Sequence, residues 1–148
     1  MKPIIILGAD HGGFRLKQAI KKYFFNKEYS VEDVSLYKDP EDDYPDAAQR
    51  VAELVKKTRN SVGVLVCTTG SGMTIAANKV KGIRAALAYD TSSAKMAKEH
   101  NNANIVCLKG KQQPKNAIKF VTAFAKAEFS KEPRHKRRIK KITKIENA

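Results

Sequence analysis

The sequence predicts an α/β fold: five parallel strands in one sheet, with helices on both faces. Two observations carry that prediction. Short apolar runs alternate with helical periodicities along the whole chain. One of the runs, Ser61 to Cys67, is continuous and β-branched, the pattern of a strand buried on both faces. Alternation of this kind implies right-handed βαβ crossovers.

Pro3 to Gly8 reads as the first strand and Asp10-His11-Gly12-Gly13 as a turn. Phe14 to Asn26 is helical, with Phe14, Leu16, Ile20, Tyr23 and Phe24 on one side and lysines opposite. Ser30 to Leu36 alternates Val31, Val34 and Leu36 with polar residues, as a second strand. Asp39 to Asp43 is an acidic loop. Tyr44-Pro45-Asp46 starts the second helix, because Pro45 fits an early helical position and Asp46 complements the dipole. Its core face is Ala47, Val51, Leu54 and Val55. The third strand, Ser61 to Cys67, runs into a loop and helix over Gly70 to Val80. Arg84 to Tyr89 is the fourth strand, and Asp90 or Thr91 caps a helix over Ser92 to His100. Asn104 to Leu108 is the fifth strand. Pro114 to Phe129 is a helix turning Ile118, Val121, Phe124 and Ala125 inward. Lys131 to Ile145 forms a final basic helix with an apolar stripe of Ile139, Ile142 and Ile145. The result is a Rossmann-like three-layer αβα sandwich with a basic C-terminal helix. No repeat, linker or compositional break divides residues 1–148, so one domain is expected.

Hydrophobic residues are 42% and charged residues 30% of the 148, which excludes a disordered chain. No apolar stretch is long enough to span a bilayer. The N-terminal apolar run is too short for a secretory signal. Cys67 and Cys107 form neither a disulfide framework nor a metal-ligand spacing, so a reducing, cytoplasmic setting is expected. The formal net charge is +14, from 29 Lys and Arg against 15 Asp and Glu. Most lysines, Lys17, Lys21, Lys56 and Lys79 among them, are dispersed, which argues for solvated faces and against nucleic acid as a partner.

The most informative stretch is Val62 to Asn78. A strand ends in Cys67, a small-residue loop carries Gly70 and Gly72, and a helix follows. Open α/β sheets bind ligands at the carboxyl ends of their strands, and loop amides there favour negative charge. A thiol at that point suits proton transfer or nucleophilic work; the competing reading is a buried packing cysteine. Asp10-His11 closes strand one, and His100-Asn101 closes helix four just before strand five. His135 lies on the basic helix. Each could be a cap or a dipole-favoured terminus, but the fold expects functional groups to share one location. Arg134 and Arg138, four apart on one helix face, suit bidentate phosphate binding.

Several blocks together resemble the type B ribose-5-phosphate isomerases, whose superfamily includes the galactose-6-phosphate isomerase subunits. They are Gly-Ala-Asp-His-Gly-Gly-Phe at 8–14, Asp-Tyr-Pro at 43–45, Cys-Thr-Thr-Gly-Ser-Gly-Met at 67–73 and Ala-Ala-Asn-Lys at 76–79. Gly-Ile-Arg-Ala at 82–85, His100-Asn101 with Asn104, and Arg134-His135 with Arg138 complete the set. The resemblance implies an αβα sandwich and a homodimer, or a tetramer of paired dimers, with active sites shared between subunits. It implies no metal and no organic cofactor. By motif position it makes Cys67 the catalytic base and His100 the group that helps open the sugar ring. It makes Asp10, His11, the Thr68 to Gly72 loop and Asn101 substrate contacts, with Arg134 and Arg138 on the phosphate and Tyr44 on the pocket wall. Two positions depart from the family pattern. Thr68 stands where glycine is usual, and Lys111 where arginine is frequent, keeping the charge but losing the fork. Met73 lies where some relatives carry a basic glutamate, which leaves Cys67 as the nearby base.

The activity so implied interconverts ribose 5-phosphate and ribulose 5-phosphate through a cis-enediolate. Cys67 moves the proton, Thr69 relays protons, and the amides of Gly70, Ser71 and Gly72 face the enediolate oxygen. The nearest alternative is an isomerase of galactose- or allose-6-phosphate. The alternative of another class is a nucleic-acid-binding module built on the basic helix, against which only 7% of residues are aromatic.

Overall fold

The computed structural model describes residues 1–148. Its elements are β1 (Ile4–Ala9), α1 (Phe14–Asn26), β2 (Val31–Asp33), α2 (Tyr44–Lys57), β3 (Ser61–Cys67) and α3 (Ser71–Ala77). They continue with β4 (Ala85–Leu87), α4 (Thr91–Asn101), β5 (Ile105–Lys109), α5 (Pro114–Lys126) and α6 (Pro133–Glu146). All five strands are parallel, as expected, in the order β2-β1-β3-β5-β4. The interior strands β1, β3 and β5 are the long apolar ones. The two edges are three-residue strands, too short to template a further strand.

Each face of the sheet carries its own core. Ile5, Leu7, Val64, Val66 and Leu108 pack with Ile20 and Phe24 of α1, Ala97 of α4 and Phe124 of α5. Ile6, Leu65, Ile105 and Cys107 pack on the other face with Val51 and Val55 of α2 and Met73 and Ala77 of α3. This is the three-layer sandwich. α4 starts from a capping box in which the Asp90 carboxylate accepts from Ser93 N and the Ser93 hydroxyl accepts from Asp90 N. No helix is long and apolar enough to cross a membrane.

One lysine does not lie where the helical pattern puts it. Lys17, expected on the solvated side of α1, is fully buried. Its ammonium donates to Asp33 Oδ2 at 2.7 Å and to the Ser35 carbonyl, and lies 4.3 Å from the centre of the Phe14 ring. Lys21 adds a second bond to Asp33 at 3.0 Å. Burial alone would raise the Asp33 carboxyl, but the bonds from Lys17, the Ser35 amide and Lys21 outweigh it and hold Asp33 below its usual range. Ser35 Oγ then accepts from Ala9 N at 3.2 Å, which ties the end of β1 to this buried pair.

The chain leaves β1 toward β2 and leaves β3 toward β4, in opposite directions along the sheet. The adjacent carboxyl ends of β1 and β3 therefore form the switch point where a doubly wound sheet opens a crevice.

Candidate active site

Three loops meet at that crevice, after β1, β3 and β5. Asp10 is almost fully buried, and its Oδ1 accepts from Gly13 N at 3.1 Å. Gly13 lies so close to the Val66 carbonyl that a side chain there would overlap it, which brings the β1 turn down onto β3. Gly110, after β5, donates its amide to the Cys67 carbonyl at 2.7 Å, and Lys111 follows it, exposed.

Cys67 is the last residue of β3 and is 4% exposed. Its sulfur accepts the Gly70 amide at 3.2 Å. An N–H aimed at the sulfur supports negative charge there. Gly70 makes this possible by adopting φ 82°, a left-handed conformation that other residues resist. The Gly70 amide, expected to face a reacting oxygen, is thus turned to the sulfur. Ser71 N donates to Thr69 Oγ1 at 3.3 Å, so it too has a partner in the loop. Thr68 and Thr69 are exposed beside the sulfur. The second cysteine, Cys107, is a different group. Burial pushes its thiol up to about 12, and it stays protonated in the core.

Thr68 causes no distortion. It is not among the residues with positive φ, so its position does not require glycine. Its hydroxyl occupies the space a side chain at Gly12 would fill. Tyr44, at the start of α2, lies against Gly72, where an added Cβ would come within 2.6 Å of the ring. The phenol is therefore a wall of the crevice beside the Cys67 loop.

His11 is exposed at the mouth of the crevice, with a partner that sequence reasoning did not single out. Asp42 Oδ1 lies 2.8 Å from His11 Nδ1 and accepts His11 N at 3.0 Å. The hydrogen bond that the ring donates to Asp42 raises the imidazole pKa, with smaller help from the Asp10 charge. Asp42 sits in an acidic run, Asp39 to Asp43, where nothing in the sequence separates it from its neighbours.

His100, Asn101, Arg134 and Arg138 are not at this crevice, which corrects the expectation that the functional groups share one location. α4 runs back along the sheet, so its end lies at the amino edge of the strands. There Arg84, just before β4, donates to the carbonyls of Asn101 and Asn102 at 2.8 and 2.9 Å. Cys67 instead pairs in register with Lys109, at the far end of β5, about 13 Å of strand away. The second group is itself ordered. His100 and His135 stack with ring centres 4.4 Å apart, and His135 is buried. Ser130 Oγ lies 2.8 Å from His135 Nδ1, and Arg134 Nε donates to His135 Nε2 at 3.4 Å. Burial, then the neighbouring His100 and Arg134, lower the His135 pKa, in keeping with a neutral ring accepting from Arg134. Arg134 also pairs with Glu132 at 3.1 Å, while Arg138 has no carboxylate partner in the chain. No three His, Cys, Asp or Glu side chains are placed to hold a metal ion.

Residues 5–142 match the family model described as Ribose/Galactose Isomerase. The chain belongs to the ribose/galactose isomerase family. Within it, the chain is 43% identical over 145 residues to the probable ribose-5-phosphate isomerase B of Mycoplasma genitalium, covering 96% of this chain and 95% of that one. It is 37% identical to the ribose-5-phosphate isomerase B of Mycobacterium tuberculosis H37Rv, covering 96% and 89%. Among solved structures, the Clostridium thermocellum ribose-5-phosphate isomerase B superposes with a TM-score of 0.92 at 41% identity, covering 97% of each chain. The Mycoplasma genitalium enzyme with bound ribulose-5-phosphate superposes at 0.90 and 41% identity, covering 99% of this chain and 98% of that one. Family membership thus rests on nearly the whole chain, and the likeness spans both groups of site residues.

Proposed function

We propose that this chain, acting as one isomerase domain of a homodimer, interconverts ribose 5-phosphate and ribulose 5-phosphate through a cis-enediolate. The observation that carries the reading is the Cys67 sulfur held by the Gly70 amide at the switch point, beside Asp10 and His11. A thiolate there takes the C2 proton of the open-chain aldose and returns it at C1, so no atom is gained or lost. Asp10 and His11 contact the sugar hydroxyls, with Asn101 of the partner subunit opposite, and Thr69 passes protons between oxygens. Of the three loop amides, that of Gly72 is the one without a partner in the loop. One well-aimed oxyanion donor is worth about 3 kcal/mol.

His100 of the partner subunit protonates the ring oxygen of the cyclic sugar. Arg134 and Arg138 of the partner subunit bind the phosphate, so that remote binding energy positions the reacting carbons. The separation of the two groups within one chain supports a two-subunit site, because two copies related by a dyad can set one crevice against the other's α4–α6 face. In this reading the sugar phosphate is the only ligand, and the chain's own side chains supply the chemistry.

Side-by-side kcat/KM on ribose 5-phosphate and on allose- and galactose-6-phosphate tests the substrate. A preference for a hexose phosphate would replace the pentose reading. Cys67→Ala tests the base. It should lower kcat by at least about a thousandfold while the protein stays folded and binds ribulose 5-phosphate. Turnover close to wild type in that variant would remove Cys67 from the mechanism.

A further inference from the structure

We propose that Asp42 is a positioning residue for His11: it clamps the imidazole through Nδ1 and leaves Nε2–H as a fixed donor to an anionic oxygen of the substrate. The inference rests on the isomerase reading for the identity of that substrate. The clamp itself rests on geometry. A single carboxylate oxygen, Asp42 Oδ1, meets both the ring Nδ1 at 2.8 Å and the backbone N–H of the same residue at 3.0 Å. Two contacts to one residue fix the ring against the backbone that carries it, and His11 Nε2 has no partner within the chain. Asp42 is itself held, its amide donating to the Asp39 carbonyl at 3.2 Å. This makes the β2–α2 loop, otherwise an exposed acidic run, part of the site.

The charges that act on His11 come from two places. Asp42 and Lys38 belong to the β2–α2 loop, and Asp10 to the end of β1. The β3–α3 loop adds no charged side chain between Cys67 and Ser71, and Arg15 of α1 is exposed. Asp42 and Asp10 favour the imidazolium, and Lys38 opposes it. In the assembled site Arg134 and Arg138 of the partner subunit would oppose it further. Asp42 is then the counterweight that keeps His11 able to donate beside two guanidinium groups.

The test is Asp42→Asn in the full-length protein, with two readouts. In an NMR titration, His11 of the wild type should titrate above the ordinary histidine value of 6.5, and in Asp42→Asn it should move back down. For ribose 5-phosphate, KM of the variant should match the wild type within about twofold at low pH, where both imidazoles are protonated, and rise severalfold about one pH unit above the ordinary value. Asp42→Glu, which keeps the charge, should restore part of the alkaline KM. An unmoved His11 titration would overturn the clamp, as would an equal KM loss at every pH. The titration needs no turnover. If His11 follows Asp42 while ribose 5-phosphate is not isomerised, the clamp stands and the functional reading fails.

Discussion

At the scale of single residues, the departure from the family pattern at Thr68 has a local explanation. The Thr68 hydroxyl fills the space above Gly12, so the two positions are read together: a threonine at 68 needs glycine at 12. Gly12→Ala should force its new methyl into Thr68 and displace the loop that follows Cys67. Its kcat/KM should fall by at least about tenfold, on the order of 1–3 kcal/mol of overpacking. Adding Thr68→Gly should recover most of that loss, since it removes the clashing atom. A double mutant no better than Gly12→Ala would show that the two residues act independently. The example also marks where sequence reading stops. Cys67, Asp10 and the glycine loop are legible because strand, turn and residue type coincide at one point. The contacts of Thr68 with Gly12 and of Asp42 with His11 join residues on different loops, 56 and 31 positions apart, and no local pattern carries them.

At the scale of elements, periodicity carries the existence and order of every strand and helix, and Phe14–Asn26 and Ser61–Cys67 to the residue. It overextends the edge strands, expected over Ser30 to Leu36 and Arg84 to Tyr89 and found at Val31–Asp33 and Ala85–Leu87. It also overextends the helix expected to reach Phe129, which ends at Lys126. What periodicity does not carry is polarity relative to the sheet. His100 precedes β5 in sequence, and for that reason it lies at the amino edge rather than the carboxyl edge. Periodicity also places Lys17 correctly on α1 but wrongly in solvent, because the carboxylate that receives it comes from β2. This pair makes its own prediction. Lys17→Met should cost roughly 3–5 kcal/mol, because Asp33 is left charged and buried with Lys21 alone. The pH dependence has a definite sign. Asp33 has a folded pKa below its ordinary value of 3.8, so its contribution is complete above that value and is lost as pH falls through the lower folded one. Chemical denaturation of the wild type should therefore show stability falling with acid over that window, and Lys17→Met should flatten the fall. A variant as stable as wild type with an unchanged acid slope would remove the pair from the account. Because Ser35 links the pair to Ala9, the destabilised variant should also loosen the Asp10 turn, read as faster amide exchange at Gly13.

At the scale of the whole molecule, the two groups of proposed site residues lie at opposite edges of one sheet, where a single protomer cannot bring them to one substrate. β5 separates them by about 13 Å of strand, and the sheet itself lies between. The proposed dyad resolves this, and it can be tested without a structure of the assembly. Cys67→Ala disables the crevice of a protomer, and His100→Asn disables the α4–α6 face. In a mixed dimer, one composite site unites both mutations and the other unites neither, so one site is intact. Random reassociation of equal amounts gives half mixed dimers, each with half its sites working. Activity on cyclic ribose 5-phosphate should therefore return to about one quarter of wild type. Each variant alone should remain far below that level, and an open-chain substrate analogue should spare His100→Asn while leaving Cys67→Ala inactive. If instead both groups served the same protomer, every chain in the mixture would carry one lesion and mixing would recover nothing. Recovery on mixing therefore distinguishes a shared site from two separate surfaces, and it does so through the catalytic reaction alone.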